Sequence, residues 1–201
     1  GFGPDDACGD PDRRGEKGSQ ALCSVTYDEG GGGSRMLEGY GGADAWRAGV
    51  RHYIKAHAYG NTVSDDLWRA IEASAGKPIL RIAHEFTLQP GVPLIRVEQA
   101  RCVNGLTEVQ LTQGEVSKDR PHKLPLHWIV PVIAQTLGNP TPSSALVSGG
   151  HVTMQVPGCG TLVVNAGQSG YYRTLHTPAQ MAAIRDRFNE LAPIDQLGVF
   201  K

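Results

Sequence analysis

The apolar positions of the chain follow two periods, and the change falls near residue 94. Between residues 46 and 87 apolar side chains recur at spacings of three and four, which predicts amphipathic helices. The first apolar stripe comprises Trp46, Val50, Tyr53, Ile54 and His57, and the second comprises Leu67, Trp68 and Ile71. Each stripe needs a surface to pack against, so we expect the helices to lie against one another or against a further partner.

Capping residues predict where these helices begin and end. Ser64 is in an N-cap position, with Asp65 and Asp66 in the first turn, where the helix dipole favours negative charge. Gly76 predicts the end of that helix, and Pro78 suits the first turn of the next one.

From residue 94 onward, short alternating runs separated by Gly, Pro, Asn and Ser predict the strands of an antiparallel β-sandwich. The runs are residues 94–97, 106–111, 126–133, 152–156 and 162–164. Pro125 and Pro131 bracket one run and predict a short or edge strand there. Residues 134–150 are expected to form an exposed loop. Pro178 predicts the start of a final helix over 178–192, with one apolar face formed by Met181, Ile184, Phe188 and Leu191.

Composition is that of an ordinary globular chain. The 201 residues are 40% hydrophobic and 19% charged, with a net charge of −1. Nothing therefore attracts the chain electrostatically to nucleic acid or to an anionic membrane, and no apolar run approaches the length of a membrane span. We expect neither as a partner. Residues 1–24 are polar and are predicted to be disordered or non-native.

The four cysteines show no pairing pattern. They are Cys8, Cys23, Cys102 and Cys159, without a CxxC pair. This spacing predicts free thiols in a reducing compartment rather than a disulfide framework or a zinc finger. Together with the absence of a signal-like N-terminus, it predicts a cytoplasmic location. A Cys/His nucleophilic enzyme would need a histidine partner for Cys23, and none can be assigned.

The glycine run at residues 30–33 leaves several interpretations open. Glycine costs about 1 kcal/mol per site against alanine in a helix, so a helix beginning here is weakened. The letters GGGGS also resemble a flexible engineered linker joining fragments. A phosphate-binding loop is disfavoured because no GK[ST] follows and no strand–loop–helix signature surrounds the run. We expect only a short helix at Arg35 to Tyr40, with Gly39, Gly41 and Gly42 forming a loop.

One pentapeptide begins like the HExxH zinc motif: His84-Glu85-Phe86-Thr87-Leu88. In that motif two histidines one helical turn apart bind zinc, and the glutamate activates water. Leucine at position 88 removes the second ligand, and no following glutamate is identifiable as the third. His84 and Glu85 are therefore interpreted as a surface pair, and we expect no metal to bind to this chain.

The order of these motifs resembles the aminopeptidase N family of zinc metallopeptidases, over residues 25–200. The matching letters are TYD at 26–28, RMLE at 35–38, HAYGNT at 57–62, SDDLW at 64–68, QPGVP at 89–93 and GYYR at 170–173. The resemblance implies an α+β fold in three parts. Residues 25–93 would be the helical tail of a thermolysin-like catalytic domain, 94–176 a β-sandwich, and 177–201 the first helix of a truncated C-terminal helical domain.

The resemblance also implies a function for Tyr27. In the family, the matching tyrosine stabilises the oxyanion that forms when water attacks the peptide, a role that suits a phenol because it donates a hydrogen bond without carrying charge. The family's zinc ligands and its loop that binds the α-amine precede the region present here. The chain is therefore predicted to be part of a zinc aminopeptidase acting on peptides, and to be inactive alone. Without the resemblance, Tyr27 would be interpreted as a half-buried structural tyrosine.

A non-catalytic interpretation stays open beside the enzymatic one. A β-sandwich with attached helices could serve as a binding or scaffold module that associates through exposed apolar helix faces. Tyr171, Tyr172 and Arg173 are expected to pack in the core and between domains rather than to act in catalysis.

Overall fold

The structure is a computed structural model that describes residues 24–116 and 126–200, with side chains from residue 31 onward. Its first part is a unit of four helices, as the apolar periodicity predicts. They are α1 (Ser24–Gly41), α2 (Ala43–Ala56), α3 (Ser64–Ala75) and α4 (Ile79–Thr87). Their buried core comprises Met36, Leu37, Ile71, Ile79, Ile82 and Ala83. Within the described residues, no helix is both long and apolar enough to cross a membrane.

Helix α1 differs from the expectation of a short helix and a glycine loop. It runs unbroken through the glycine run to Gly41, so the flexible-linker interpretation is wrong for these residues. Packing explains the difference. A Cβ on Gly32 would lie 2.6 Å from Cδ2 of Tyr171, and one on Gly39 would lie 2.9 Å from Oγ of Ser169. The glycines let α1 approach the β-sandwich closely, and this packing offsets their low helix propensity.

The ends of α3 are close to the predicted positions. Gly76 ends the helix as expected, with φ of 62° and its N–H donating to the Glu72 carbonyl at 2.8 Å. The prediction of Ser64 as N-cap is wrong by one residue, because Val63 is the cap. Its N–H donates to Oδ2 of Asp66 at 3.1 Å, so the carboxylate of the first turn satisfies a backbone donor of the cap.

The second part is a β-sandwich with seven strands in the described residues 93–116 and 126–175, which confirms the predicted α+β class. The strands are β1 (Pro93–Val103), β2 (Leu106–Glu115), β3 (Val130–Thr136), β4 (Ser143–Val147), β5 (His151–Pro157), β6 (Leu162–Val164) and β7 (Arg173–Leu175). One sheet has the order β5-β2-β1-β7 and the other β4-β3-β6. All pairs are antiparallel except β1 with β7, which is parallel. The core between the sheets includes Ile95, Val109, Leu111, Trp128, Val130, Val132 and Val156.

Two predictions about the second sheet are wrong. The short or edge strand predicted for the run at 126–133 is instead β3, which begins only at Val130, has seven residues and is central, with Pro131 opposite Leu146 of β4. Proline is tolerated because β6 pairs with β3 only from Ala134 onward, so the other side has no ladder at position 131. Residues 134–150 are not one exposed loop, since they contain the end of β3 and all of β4. The two serines at the start of β4 weaken its apolar pattern.

The C-terminal part has two helices where one was expected. Helix α5 (Pro178–Asp186) ends before Phe188, a short 3₁₀ turn follows, and α6 (Pro193–Val199) begins at the next proline. Thr177 caps α5, since its hydroxyl accepts from Gln180 N at 3.3 Å. Ile184 and Leu191 are buried, but Met181 is 38% exposed.

A disulfide corrects the expectation of free thiols. Cys102 of β1 and Cys159, in the loop after β5, are bonded to each other with their Cα atoms 5.3 Å apart. Strand pairing explains the proximity, because Cys102 lies opposite Thr107 and Thr107 lies opposite Val156. Their separation of 57 positions conceals this relation in the sequence. Cys8 and Cys23 lie outside the described residues.

Candidate functional site

Tyr27 lies in the first turn of α1, four residues before Gly31. The structure describes its backbone, but its side chain lies outside the described residues. Its role in oxyanion stabilisation therefore stays a prediction. What the structure does describe is the surrounding backbone and the cleft that the next turn of α1 borders.

A cleft of about 470 Å³ lies between α1 and the segment after β6. Gly31, Gly32 and Arg35 line it from the helix, and Val92 lines it from the turn that enters β1. A Cβ on Gly31 would meet no atom within 4 Å, so the helix backbone itself borders the cleft at this residue, whereas the Tyr171 ring covers Gly32.

The far wall of the cleft belongs to a segment that we call the bridging loop, residues 165–172. Asn165 starts it in a left-handed conformation, with φ of 60°. Its side chain accepts a hydrogen bond from Gly170 N at 2.8 Å and donates one to the Gly170 carbonyl at 3.2 Å. A single asparagine thus closes the loop on itself, and asparagine is one of the few residues that tolerate this backbone conformation.

Two successive tyrosines at the end of the bridging loop pack against different parts of the protein. The Tyr171 ring meets Phe86 of α4 edge-on, with centroids 6.2 Å apart, and its backbone N–H lies 3.4 Å from Sδ of Met36. Tyr172 is 3% exposed in the sandwich core, and this burial raises the pKa of its phenol. The prediction that both tyrosines pack in the core and between domains is confirmed. Arg173, by contrast, is exposed on β7.

The opposite end of the bridging loop is attached to the C-terminal helices. The buried carboxylate of Asp195, in the first turn of α6, accepts from Gly167 N at 2.8 Å. Gln168 Nε2 donates to the Asn165 carbonyl at 3.0 Å and also approaches Asp195. Sequence reasoning missed Asp195. The signal was available, because an acidic residue two positions after the helix-starting Pro193 suits a helix N-terminus.

The His84 region does not fit a zinc site. His84 Nε2 lies 2.8 Å from Oδ1 of Asp65, and Glu85 accepts from Gln89 Nε2 at 3.2 Å. Leu88 occupies the position of the second ligand and is 76% exposed. Across the described residues, no group of three His, Cys, Asp or Glu side chains is arranged to hold a metal ion. The prediction of a surface pair formed by His84 and Glu85 is wrong, because His84 is half-buried and pairs with Asp65, and Glu85 pairs with Gln89.

Fold and site together define an α+β chain in which a helical unit and a β-sandwich share a cleft. Comparison with known proteins identifies the family. Residues 14–86 match the model of the Peptidase family M1 domain. Over 188 residues the chain is 30% identical to the Tricorn protease-interacting factor F2 of Thermoplasma volcanium. This alignment covers 90% of this chain and 22% of that protein. It is 28% identical over 198 residues to Aminopeptidase M1 of Arabidopsis thaliana, covering 88% of this chain and 21% of that protein.

A similar match is found in a fungus. Aminopeptidase 2 of Candida albicans is 27% identical over 178 residues, which is 85% of this chain and 18% of that protein. The chain belongs to the M1 peptidase family, which confirms the predicted resemblance to aminopeptidase N. It spans about a fifth of the length of the curated relatives that it matches.

Proposed function

We propose that this chain forms part of an aminopeptidase that removes N-terminal residues from peptides, with Tyr27 donating the hydrogen bond that stabilises the oxyanion. The observation that carries the proposal is the position of Tyr27. It falls within the residues matched to the M1 domain, in the first turn of the helix that borders the cleft. The names of the relatives support an aminopeptidase as the class of enzyme.

The chemical role is one that a phenol can perform alone. A hydrogen bond from a neutral donor to the developing negative charge is stronger in the transition state than in the ground state. Removing such a donor typically lowers kcat by about 10²- to 10³-fold. The bridging loop would help to position Tyr27, since Tyr171 packs on Gly32 and so fixes the distance between α1 and the sandwich. A peptide lying in the cleft would meet the helix backbone at Gly31.

Water activation would come from other residues. Zinc supplies this chemistry in the family, by polarising a water for attack. The described residues do not fit a zinc site, so we assign no zinc-dependent step to them. The chain alone is accordingly proposed to lack activity. Its location is a separate question: a cytoplasmic location stays a prediction, and the Cys102–Cys159 disulfide counts against it because such bonds persist in oxidising compartments.

The first experiment tests whether the chain is inactive alone. Zinc content is measured by elemental analysis on the pure 201-residue chain, and release of dye from an alanine anilide is measured on the same sample. We expect neither stoichiometric zinc nor turnover. Stoichiometric zinc accompanied by turnover would show that this chain activates water itself.

The second experiment tests Tyr27 in a complete enzyme. Residues 24–200 replace the matching segment of the Arabidopsis thaliana aminopeptidase, and the hybrid is compared with its Tyr27→Phe variant. We expect kcat to fall about 10²- to 10³-fold with little change in KM. Tyr59→Phe is the matched control because Tyr59 is fully exposed. Unchanged kcat in Tyr27→Phe would refute the catalytic role, and a folded but inactive hybrid would favour the scaffold alternative.

A further inference from the structure

A cavity of about 120 Å³ lies where the β-sandwich meets the C-terminal helices. Its apolar wall includes Ile184 of α5, Val199 of α6 and, between these helices, Leu191. A cavity of about 150 Å³ can hold benzene, so this one has room for about five non-hydrogen atoms or about four waters. Among the described side chains, none from α1 lines this cavity, and the inference below does not depend on the proposed function.

A buried carboxylate faces the cavity with part of its hydrogen-bonding capacity unused. Asp195 lines the cavity and is 4% exposed. Its Oδ1 accepts from Gly167 N at 2.8 Å and from Gln168 Nε2 at 3.5 Å. Among the described residues, the hydrogen bonds to this carboxylate both go to Oδ1, and Oδ2 is not among the enclosed polar atoms without a partner. Because a carboxylate oxygen with free acceptor capacity attracts charged N–H donors, Oδ2 favours a cationic ligand.

Two neutral polar atoms of the cavity lining also have no hydrogen-bond partner among the described residues: the Tyr172 hydroxyl and His176 Nδ1. The Ile133 backbone lies near the phenol and partly opposes the effect of burial on its pKa, but it makes no hydrogen bond of normal geometry with the hydroxyl. Burial lowers the pKa of His176, so its imidazole is uncharged at neutral pH and one ring nitrogen can accept. Three acceptors of different side chains therefore line one small cavity.

We propose that this cavity binds a small primary ammonium ion with a short apolar chain, held by Asp195, Tyr172 and His176. An ammonium group has three N–H donors and a positive charge, which match three acceptors of which one is anionic. Its alkyl part would lie against Ile184 and Leu191. An anion would be repelled by Asp195, and an alcohol would leave the carboxylate without a counter-charge. Arg173 also lines the cavity, but it is exposed, so solvent screens its charge.

The binding test uses the 201-residue chain and n-propylammonium chloride, followed by chemical-shift changes in NMR spectra. We expect saturable binding with a Kd of about 1–10 mM, in the range allowed for so small a ligand. n-Propanol has the same shape without the charge, and we expect it to bind at least about tenfold more weakly. Tetramethylammonium has the charge without N–H donors, and we expect no saturation. Sodium chloride at equal concentration controls for ionic strength.

Two variants locate the site. Asp195→Asn keeps an oxygen for Gly167 N–H but removes the charge, and we expect about tenfold weaker binding or worse. Tyr172→Phe keeps the ring and removes one acceptor, so a few-fold loss is expected. Asp186→Asn on α5 is the control, because Asp186 is exposed and paired with Arg185 at 2.8 Å. Melting temperatures verify that each variant is folded.

Three results would overturn the proposal. The first is no saturable shift with n-propylammonium up to about 100 mM, a concentration at least tenfold above the expected Kd. The second is equal binding of n-propanol, which would make the cavity a purely apolar site. The third is unchanged affinity in folded Asp195→Asn. If Asp195→Asn does not fold, unchanged affinity in Tyr172→Phe has the same meaning.

Discussion

The Tyr171 ring occupies the space that a side chain at position 32 would need. A Cβ built on Gly32 would lie 2.6 Å from Cδ2 of that ring, whereas one built on Gly33 would meet no atom within 4 Å. Two neighbouring glycines of the same helix thus have different reasons to be glycine. Gly32 allows α1 to contact the bridging loop, and Gly33 only lowers the helix propensity of α1.

This difference predicts opposite effects of the same substitution. Gly33→Ala should stabilise the chain by up to about 1 kcal/mol, because alanine favours the helix and restricts the unfolded chain. Gly32→Ala should instead destabilise it by about 1–3 kcal/mol, because the added methyl displaces a ring packed against Phe86. Urea unfolding of both variants measures the two free energies. Equal stabilisation by both would contradict the packing described here.

Gln113 of β2 connects the two sheets through its side-chain amide. Its Nε2 donates to the Trp128 carbonyl at 2.7 Å and to the Val147 carbonyl at 2.9 Å, and its Oε1 accepts from Trp128 N at 2.7 Å. Gln113→Ala leaves three backbone groups without this partner, so we expect a loss of about 2–4 kcal/mol in the free energy of unfolding. Gln155→Ala, at an exposed position of β5, should change it by less than about 0.5 kcal/mol. If Gln113→Ala loses no more free energy of unfolding than Gln155→Ala does, the hydrogen bonds of the Gln113 amide contribute little to stability.

The disulfide between Cys102 and Cys159 predicts sensitivity to reductant. The cross-link closes a loop of 57 residues, which the chain-entropy model translates into about 4 kcal/mol of stability. Urea unfolding with and without dithiothreitol measures this contribution. In the double variant Cys102→Ala/Cys159→Ala, dithiothreitol should change the free energy of unfolding very little. Alkylation and mass spectrometry of the unreduced protein provide an independent readout. Complete labelling of both cysteines there would show that the bond does not form.

Asp66 predicts a pH dependence at the start of α3. Hydrogen bonds from Val63 N–H and the Thr62 hydroxyl lower the pKa of Asp66 in the folded state. Because the pKa of Asp66 is lower in the folded state than in the unfolded state, the ionised carboxylate stabilises the protein. This contribution is complete when the pH is above the unfolded-state pKa of about 3.9, and it is lost as the pH falls through the folded-state pKa. The stability difference between wild type and Asp66→Asn should therefore shrink as the pH falls below about 4. A difference that stays constant as the pH falls further would contradict the assignment.

Features that depend on residues close in sequence could be predicted well. The apolar stripes of α2 and α3 place Trp46 and Ile71 in the helical core, and Gly76 ends α3 as its left-handed conformation requires. The strands β1, β2, β5 and β6 also follow from alternation. In each case the helical or strand period and the end signals lie within one element, so a single stretch of sequence contains the information.

Features of the candidate site could be predicted only in part. The family motif around Tyr27 indicated the residue, and the letters GYYR indicated the packing role of the two tyrosines. Nothing local indicated that Asp195 would hold Gly167, or that His176 and Tyr172 would line one cavity with it. These relations join the bridging loop to helices that come later in the chain, and they exist only because the two pack together.

By itself, the sequence determined the α+β class, the helices α2 to α4, most of the strands and the M1 family, because periodicity and motif order are properties of contiguous residues. Only the tertiary structure decided that the glycine run is helical, that β3 is central, and that Cys102 is bonded to Cys159. Each of these depends on which distant surface a segment contacts. A glycine that weakens an isolated helix becomes favourable where Tyr171 needs its space, and that partner lies 139 positions away.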